Sequence, residues 1–189
     1  MDRIIPNVLY DERRPEKYPL FIEEIQKQGI EDYKIWSPIF SKTVVQSINL
    51  SQKEIVRWSK EKGRKYCCIF EDDIMFTSKD SWNYFIEKMP ASFDVYCGGS
   101  YLIDNRNDYK KPLVKVSEWV GNHCIIIHER YYDTFLSIPE HQHIDVANKD
   151  KGEFYICFPF IALQRPSWSL NIGDNVNYNH NIPKGFIYQ

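Results

Sequence analysis

The chain has 189 residues, 24 basic against 26 acidic side chains, a net charge of -2, and 43% hydrophobic and 15% aromatic content. That length allows one domain with a sizeable core, and the charge balance argues against a nucleic-acid backbone or an anionic membrane surface as partner. Composition excludes disorder, no apolar run approaches the roughly 18 to 20 residues of a membrane span, and the first residues lack the apolar core of a signal peptide, so a cytoplasmic protein without a transmembrane segment is expected.

In chain order, Arg3 to Tyr10 predicts a first strand, and Asp11-Glu12-Arg13-Arg14-Pro15 a charged turn into a helix. Pro15 suits the first helical turn, the apolar positions run through Leu20, Phe21, Ile22 and Ile25, and Gly29 ends the helix. Tyr33 to Trp36 is a short second strand. Ser51-Gln52-Lys53-Glu54 has the form of a capping box, so a helix is expected from Ser51 to Gly63. The overlapping Asn49-Leu50-Ser51 sequon is given little weight, since capping accounts for Ser51.

The next run, Lys65 to Phe76, is apolar except for Glu71-Asp72-Asp73 in its middle. It reads as a buried strand, and alternation would put Glu71 and Asp73 on one side and Asp72 on the other. Three acids in apolar surroundings are costly unless something cationic meets them. The end of a strand is where ligands bind in open α/β sheets, and carboxylates on a hard divalent cation can hold a phosphate-bearing substrate. A solvated turn is the competing reading, and the residues alone leave both open.

A helix is expected near Asp80 to Met89, halted by Pro90, and a strand over Ser92 to Cys97. Gly98-Gly99-Ser100 follows at once; its glycines permit positive φ and close backbone approach to a ligand, or form an ordinary turn. Residues 104 to 112 read as an exposed polar loop. Val114 to Val120 and His123 to His128 are two further strands around Gly121-Asn122, followed by a helix carrying Tyr131, Tyr132, Phe135 and Leu136. His141-Gln142-His143 is either an exposed loop or a pair of metal ligands. Asp145 is either a helix N-cap before Val146 or a general base. An apolar run from Phe154 to Pro159 leads into an Asn- and aromatic-rich tail, where His180 is either solvent-exposed or folds back as a third metal ligand. Cys67, Cys68, Cys97, Cys124 and Cys157 lie in or beside apolar runs without CxxC spacing, which predicts buried free thiols. No repeat or linker interrupts the chain, so one domain over residues 1–189 is expected.

The order of these pieces resembles glycosyltransferase family 25, the lipopolysaccharide-biosynthesis and collagen-galactosyltransferase type. The likeness spans about residues 45 to 170: the helix ending at Gly63, Tyr66 to Ile74 with Glu71-Asp72-Asp73, Phe93 to Gly99, Gly121 to Ile127, His143-Ile144-Asp145, and Pro159 to Gln164 with Ser167 or Ser169. It implies a GT-A fold, a Rossmann-like α/β domain with a mixed, mainly parallel sheet flanked by helices. It also implies a hexosyltransferase moving a sugar from a nucleotide-sugar donor, usually UDP-linked, to a hydroxyl of a glycan or other acceptor with the help of Mn²⁺ or Mg²⁺. On that likeness Glu71, Asp72 and Asp73 match the family's metal motif, with Asp73 the direct ligand, Glu71 or Asp72 binding through water or the ribose, and Gly98, Gly99 and Ser100 beside the donor sugar. With the tail His180 added as third ligand, the expected metal set is Glu71, Asp73 and His180, and Asp72 is assigned to the donor. Asp145 matches the family's late Asp and is the expected base of an inverting reaction. Asp11 and Arg13 face the same sheet edge and are candidates to meet the nucleotide, against a solvated helix start. The chain departs from the family in having Gln52 or its neighbours where members often have His, and in a compressed N-terminal segment. A catalytically degenerate GT-A-like domain that binds a sugar or a protein, and a metal-dependent phosphodiesterase, are the alternatives.

Overall fold

Apolar runs that alternate between two hydrophobic layers build the centre of this protein. The computed structural model describes residues 3–101, 109, 112–169 and 172–189. Most of the polar stretch expected as a loop at 104 to 112 therefore lies outside the described residues.

The strands and helices in order are β1 (Pro6–Leu9), α1 (Lys17–Lys27), β2 (Lys34–Trp36), α2 (Val44–Glu61), β3 (Tyr66–Glu71), β4 (Ile74–Phe76), α3 (Ser81–Glu87) and β5 (Val95–Cys97). They continue as β6 (Leu113–Val116), β7 (Cys124–His128), α4 (Tyr132–Ser137), β8 (Phe154–Cys157), β9 (Ala162–Gln164), β10 (Ser167–Ser169) and β11 (Asp174–Val176). The described residues form a seven-stranded sheet in the order β2-β1-β3-β7-β5-β8-β6, with small antiparallel pairs β4-β9 and β10-β11 beside it. Strands β2, β1, β3, β5 and β8 share one direction, while β7 and β6 oppose them. This is the mixed, mainly parallel α/β sheet expected from the sequence.

Side-chain alternation explains why the central strands are apolar throughout. In β3, Cys67 and Ile69 face one core with Ile55 and Val56 of α2 and Phe135 of α4. Cys68 and Phe70 face the other, with Phe21 and Ile25 of α1 and Phe85 of α3. β7 divides likewise, Ile125 and Ile127 to the first core and Cys124 and Ile126 to the second. The sheet is thus covered on both faces by helices. All five cysteines are buried and free. No helix among the described residues is long and apolar enough to cross a membrane.

The expected start of α2 is corrected. The helix begins at Val44, capped by Thr43, whose Oγ1 accepts from the Gln46 N–H at 3.2 Å. Ser51 lies well inside it, with its hydroxyl donating to Ser47 O at 2.6 Å and accepting from the Ile39 N–H at 2.8 Å. The buried stripe of Asn49, Gln52, Val56 and Ser59 has helical spacing, and its tertiary contacts override the local capping pattern. Asn49 is fully buried, and its Nδ2 donates to Pro139 O and Gln142 O, each at 3.1 Å. The sequon is therefore a structural cross-link.

One strand, β6, is shorter than its apolar run. β6 stops at Val116 because Trp119 turns inward, where its Nε1 donates to Asn122 Oδ1 at 2.8 Å. At Gly98-Gly99, where the sequence leaves open both a positive φ with close approach to a ligand and an ordinary turn, neither glycine has a positive φ. A Cβ on Gly98 would lie 2.8 Å from Cys124 Sγ, and one on Gly99 2.3 Å from Ala162 O. These glycines let β5 pass close to the chain entering β9, with the Ile161 N–H donating to Gly98 O at 2.8 Å.

Because the obstacle at Gly99 is backbone, Gly99→Ala is expected to destabilise the protein by about 1–3 kcal/mol. A lower urea midpoint with an unchanged m-value would show it.

Candidate functional site

The carboxyl ends of β1, β2 and β3 lie side by side, with Leu9 in register with both Trp36 and Glu71. They open onto a cleft of about 480 Å³, a size suited to a small ligand. Three sets of side chains define it: the loop from β1 to α1, the turn after β3, and the segment Val120 to Asn122 with Asp145.

β3 ends at Glu71, and Asp72 and Asp73 make the turn into β4. Strand alternation therefore does not carry through the three acids. Asp72 and Asp73 converge on one ammonium, with Lys17 Nζ 2.7 Å from Asp72 Oδ1 and 3.1 Å from Asp73 Oδ2. The three side chains are only 8%, 11% and 9% exposed, respectively. Burial opposes the charge on Lys17, but Asp73 and Asp72 outweigh it and raise its pKa. Burial holds the Asp72 carboxyl above its usual range despite Lys17. Asp72 Oδ2 also accepts from the Asp11 N–H at 3.1 Å, and Asp73 Oδ2 from Gln164 Nε2 at 2.8 Å. Asp73 Oδ1 is buried and has no hydrogen-bond partner among the described residues.

Glu71 belongs to a different network. Its Oε1 accepts from Gln52 Nε2 at 3.1 Å, Gln52 Oε1 accepts from Asn122 Nδ2 at 2.9 Å, and Asn122 is held in turn by Trp119. Burial first, then the charges of Asp73, Asp145 and Asp72, push the Glu71 carboxyl up to about 8, so it holds its proton at neutral pH.

Asp11 and Arg13 both line the cleft and bind each other, with Nε 2.9 Å from Oδ1 and Nη2 2.7 Å from Oδ2. That hydrogen bonding lowers the Asp11 pKa. The Arg13 guanidinium lies 3.8 Å over the Phe40 ring. Arg14 makes one long contact, 3.4 Å to Glu16, and lines the cleft beside Lys17.

Asp145 reaches the cleft from the far side, its Oδ2 accepting from the Gly121 N–H and its Oδ1 from the Val146 N–H, both at 2.9 Å. The capping alternative is present: Asp145 caps the short 3-10 turn Val146–Asn148. Gly121 has φ 102°, so it, and not Gly98 or Gly99, is the positive-φ glycine of this site. The Ser100 hydroxyl is turned to Val120, accepting its N–H at 3.1 Å, and Gly98, Gly99 and Ser100 do not line the cleft. Tyr101 does, and its OH donates to Gln164 Oε1. His141 and His143 sit in an exposed loop. His180 is exposed, its Nδ1 meets Asn177 O, and it does not reach Glu71 or Asp73.

As arranged, these residues do not form a divalent-metal site. Among the described residues no three His, Cys, Asp or Glu side chains are grouped to hold an ion. Three of the four carboxylate oxygens of Asp72 and Asp73 already accept hydrogen bonds, and an ammonium stands between the two aspartates.

Lys17, Arg14, Gln164 and Asn122 were not singled out from the sequence. Lys17 did leave a trace there. A lysine opening a helix opposes the helix dipole, and α1 has no acid in its first turn, so the lysine needs a partner elsewhere.

No family model matches the chain, and no curated protein sequence does. Among solved structures it is similar to A197 from STIV, at 16% identity over 96% of this chain and 97% of that one, with a TM-score of 0.54. That likeness is one of fold. A glycosyltransferase involved in glycosylation of the major capsid of PBCV-1 matches at 11% identity over 71% of this chain and 66% of that one, with a TM-score of 0.43. A Drosophila β-1,4-galactosyltransferase 7 complex with manganese, UDP-Gal and xylobiose matches at 11% identity over 70% of this chain and 52% of that one, with a TM-score of 0.38. Structural neighbours thus include glycosyltransferases, and no residue role is taken from them.

The raised Glu71 pKa carries a pH signature. Between its ordinary value near 4.3 and about 8 the folded state binds a proton that the unfolded chain has released, so stability falls as pH rises through that window. Glu71→Gln keeps the acceptor for Gln52 and removes the titration. Urea midpoints near pH 5 and near pH 8 should drop for the wild type and drop less for the variant.

Proposed function

We propose that the chain is a single GT-A-type glycosyltransferase domain that moves a hexosyl unit from a nucleotide-sugar donor, a UDP-sugar foremost, to a hydroxyl of a glycan or other acceptor. The observation that carries this reading is the cleft at the carboxyl ends of β1, β2 and β3, where Arg13 and Arg14 of the β1–α1 loop and Lys17 at the start of α1 face an acidic turn. Such an edge is where α/β sheets bind nucleotides, and guanidinium groups are suited to diphosphate oxygens. The motif order that resembles glycosyltransferase family 25 supports the same reading, and the exposed rings of Phe40 and Trp168 in the cleft offer faces for a base or a sugar.

The chemistry follows from charge. When the bond between the sugar carbon and the diphosphate oxygen breaks, its electron pair stays on the phosphate, and the developing negative charge meets the cations of the β1–α1 loop. The acceptor hydroxyl oxygen forms the new bond to that carbon. Its proton passes to Asp145, which is half-buried at the cleft and oriented by the Gly121 and Val146 N–H groups. The inverting outcome follows from attack on the face opposite the leaving group.

Calorimetric titration with UDP and GDP, followed by a nucleotide-release assay across a panel of nucleotide sugars, tests the proposal. Binding of a nucleoside diphosphate is expected, weakened about tenfold by Arg14→Ala, the size of one charge-assisted hydrogen bond. Asp145→Asn should keep donor binding and lose transfer. No binding of either nucleotide at millimolar concentration would sink the reading, and binding without turnover on any acceptor would favour the degenerate binding domain.

A further inference from the structure

The geometry points to Lys17 Nζ as the resident cation of the acidic turn: we infer that its ammonium holds the place a divalent ion would take, and that the donor diphosphate is bound without a metal. This deepens the proposed transferase reading and rests on it for the identity of the ligand.

An ammonium has three N–H donors. Lys17 gives two of them to Asp72 Oδ1 and Asp73 Oδ2, and among the described residues no third acceptor takes the last. Lys17 also lines the cleft, so the remaining donor is available to a ligand there. The aspartates thereby act as positioning residues that fix a charged donor at the cleft wall. Both are held by a further donor, Asp72 by the Asp11 N–H and Asp73 by Gln164 Nε2, while the Arg165 N–H donates to Asp73 O at 2.7 Å.

A divalent ion entering this turn would meet a lysine ammonium at hydrogen-bond distance from both of its ligands, with little water to screen the repulsion. Among the described residues Asp73 Oδ1 is the one oxygen of the pair without a partner, so the protein offers an entering cation a single unengaged carboxylate oxygen beside an ammonium. Phe21 and Ile25 lock α1 into the core, so Lys17 cannot leave the turn by movement of its helix. A phosphate oxygen is attracted by the same ammonium that repels a divalent ion, although it approaches beside the two carboxylates that hold the lysine. It meets a positive group already aimed at the cleft, with Arg14 beside it.

Two measurements on the wild-type protein test this. Electron paramagnetic resonance of free Mn²⁺ during titration should show no saturable one-to-one site. Calorimetry with UDP should give the same affinity in EDTA as in Mn²⁺. In Lys17→Gln the Mn²⁺ titration should reveal a saturable site, and UDP affinity in EDTA should fall about tenfold. A one-to-one Mn²⁺ site in the wild type that Asp73→Asn removes, or UDP binding that vanishes in EDTA, would overturn the inference. If Lys17→Gln does not fold, the wild-type measurements decide alone. If no nucleotide binds at all, the transferase reading falls, and the Mn²⁺ titration still judges whether Lys17 occupies the cation position.

Discussion

The contact between Lys17 and the two aspartates of the turn after β3 is the constraint on which the site depends. It joins residues far apart in sequence, the first position of α1 and the end of a central strand, in a place with little water. An incomplete version would be costly, since removing one partner of a buried ion pair typically costs about 3–5 kcal/mol. The contact therefore holds the start of α1 against the turn after β3.

α1 extends that role along its length. Glu24, one face of the helix further on, is buried, and its Oε2 accepts from the Phe76 N–H while its Oε1 accepts from Arg165 Nη2, both at 2.9 Å. One helix thus satisfies the backbone of β4 and meets the segment after β9, the two strands that continue the acidic turn. On the other side of the sheet, α2 does comparable work through Gln52, which links Glu71 to Asn122 and Trp119. The three consecutive acids are held by two helices from opposite faces. This division separates their chemistry, with Asp72 and Asp73 tied to a cation and Glu71 left protonated in an amide network.

The glycines show how the same residue type takes different work from its surroundings. Gly98 and Gly99 are needed because backbone and side chains of neighbouring segments lie within contact distance of where a Cβ would be. Gly121 is needed for its positive φ, which points its N–H at Asp145. Nothing local distinguishes Gly98-Gly99 from Gly121 in the chain, since each follows or precedes an apolar run.

The sequence by itself determined the layered α/β architecture, because strand and helix periods are local properties: Cys67 to Phe70 and Ile125 to Ile127 had to split between two cores, Gly29 and Pro90 had to bound helices, and five cysteines in apolar runs had to be buried. It also marked the acidic turn as a place where either a cation or solvent had to meet the charge, since three acids among apolar residues are otherwise costly. Only the tertiary structure decided what meets that charge. Lys17 lies 55 residues from Asp72, and no local period links them. The same holds for Gln52 beneath Glu71, for Asp145 held by Gly121, and for the true start of α2, where buried contacts outweighed a capping pattern. Local spacing encodes which residues share a face, whereas the meeting of side chains across a cleft depends on how the sheet is ordered, and that order is set by the packing of the whole chain.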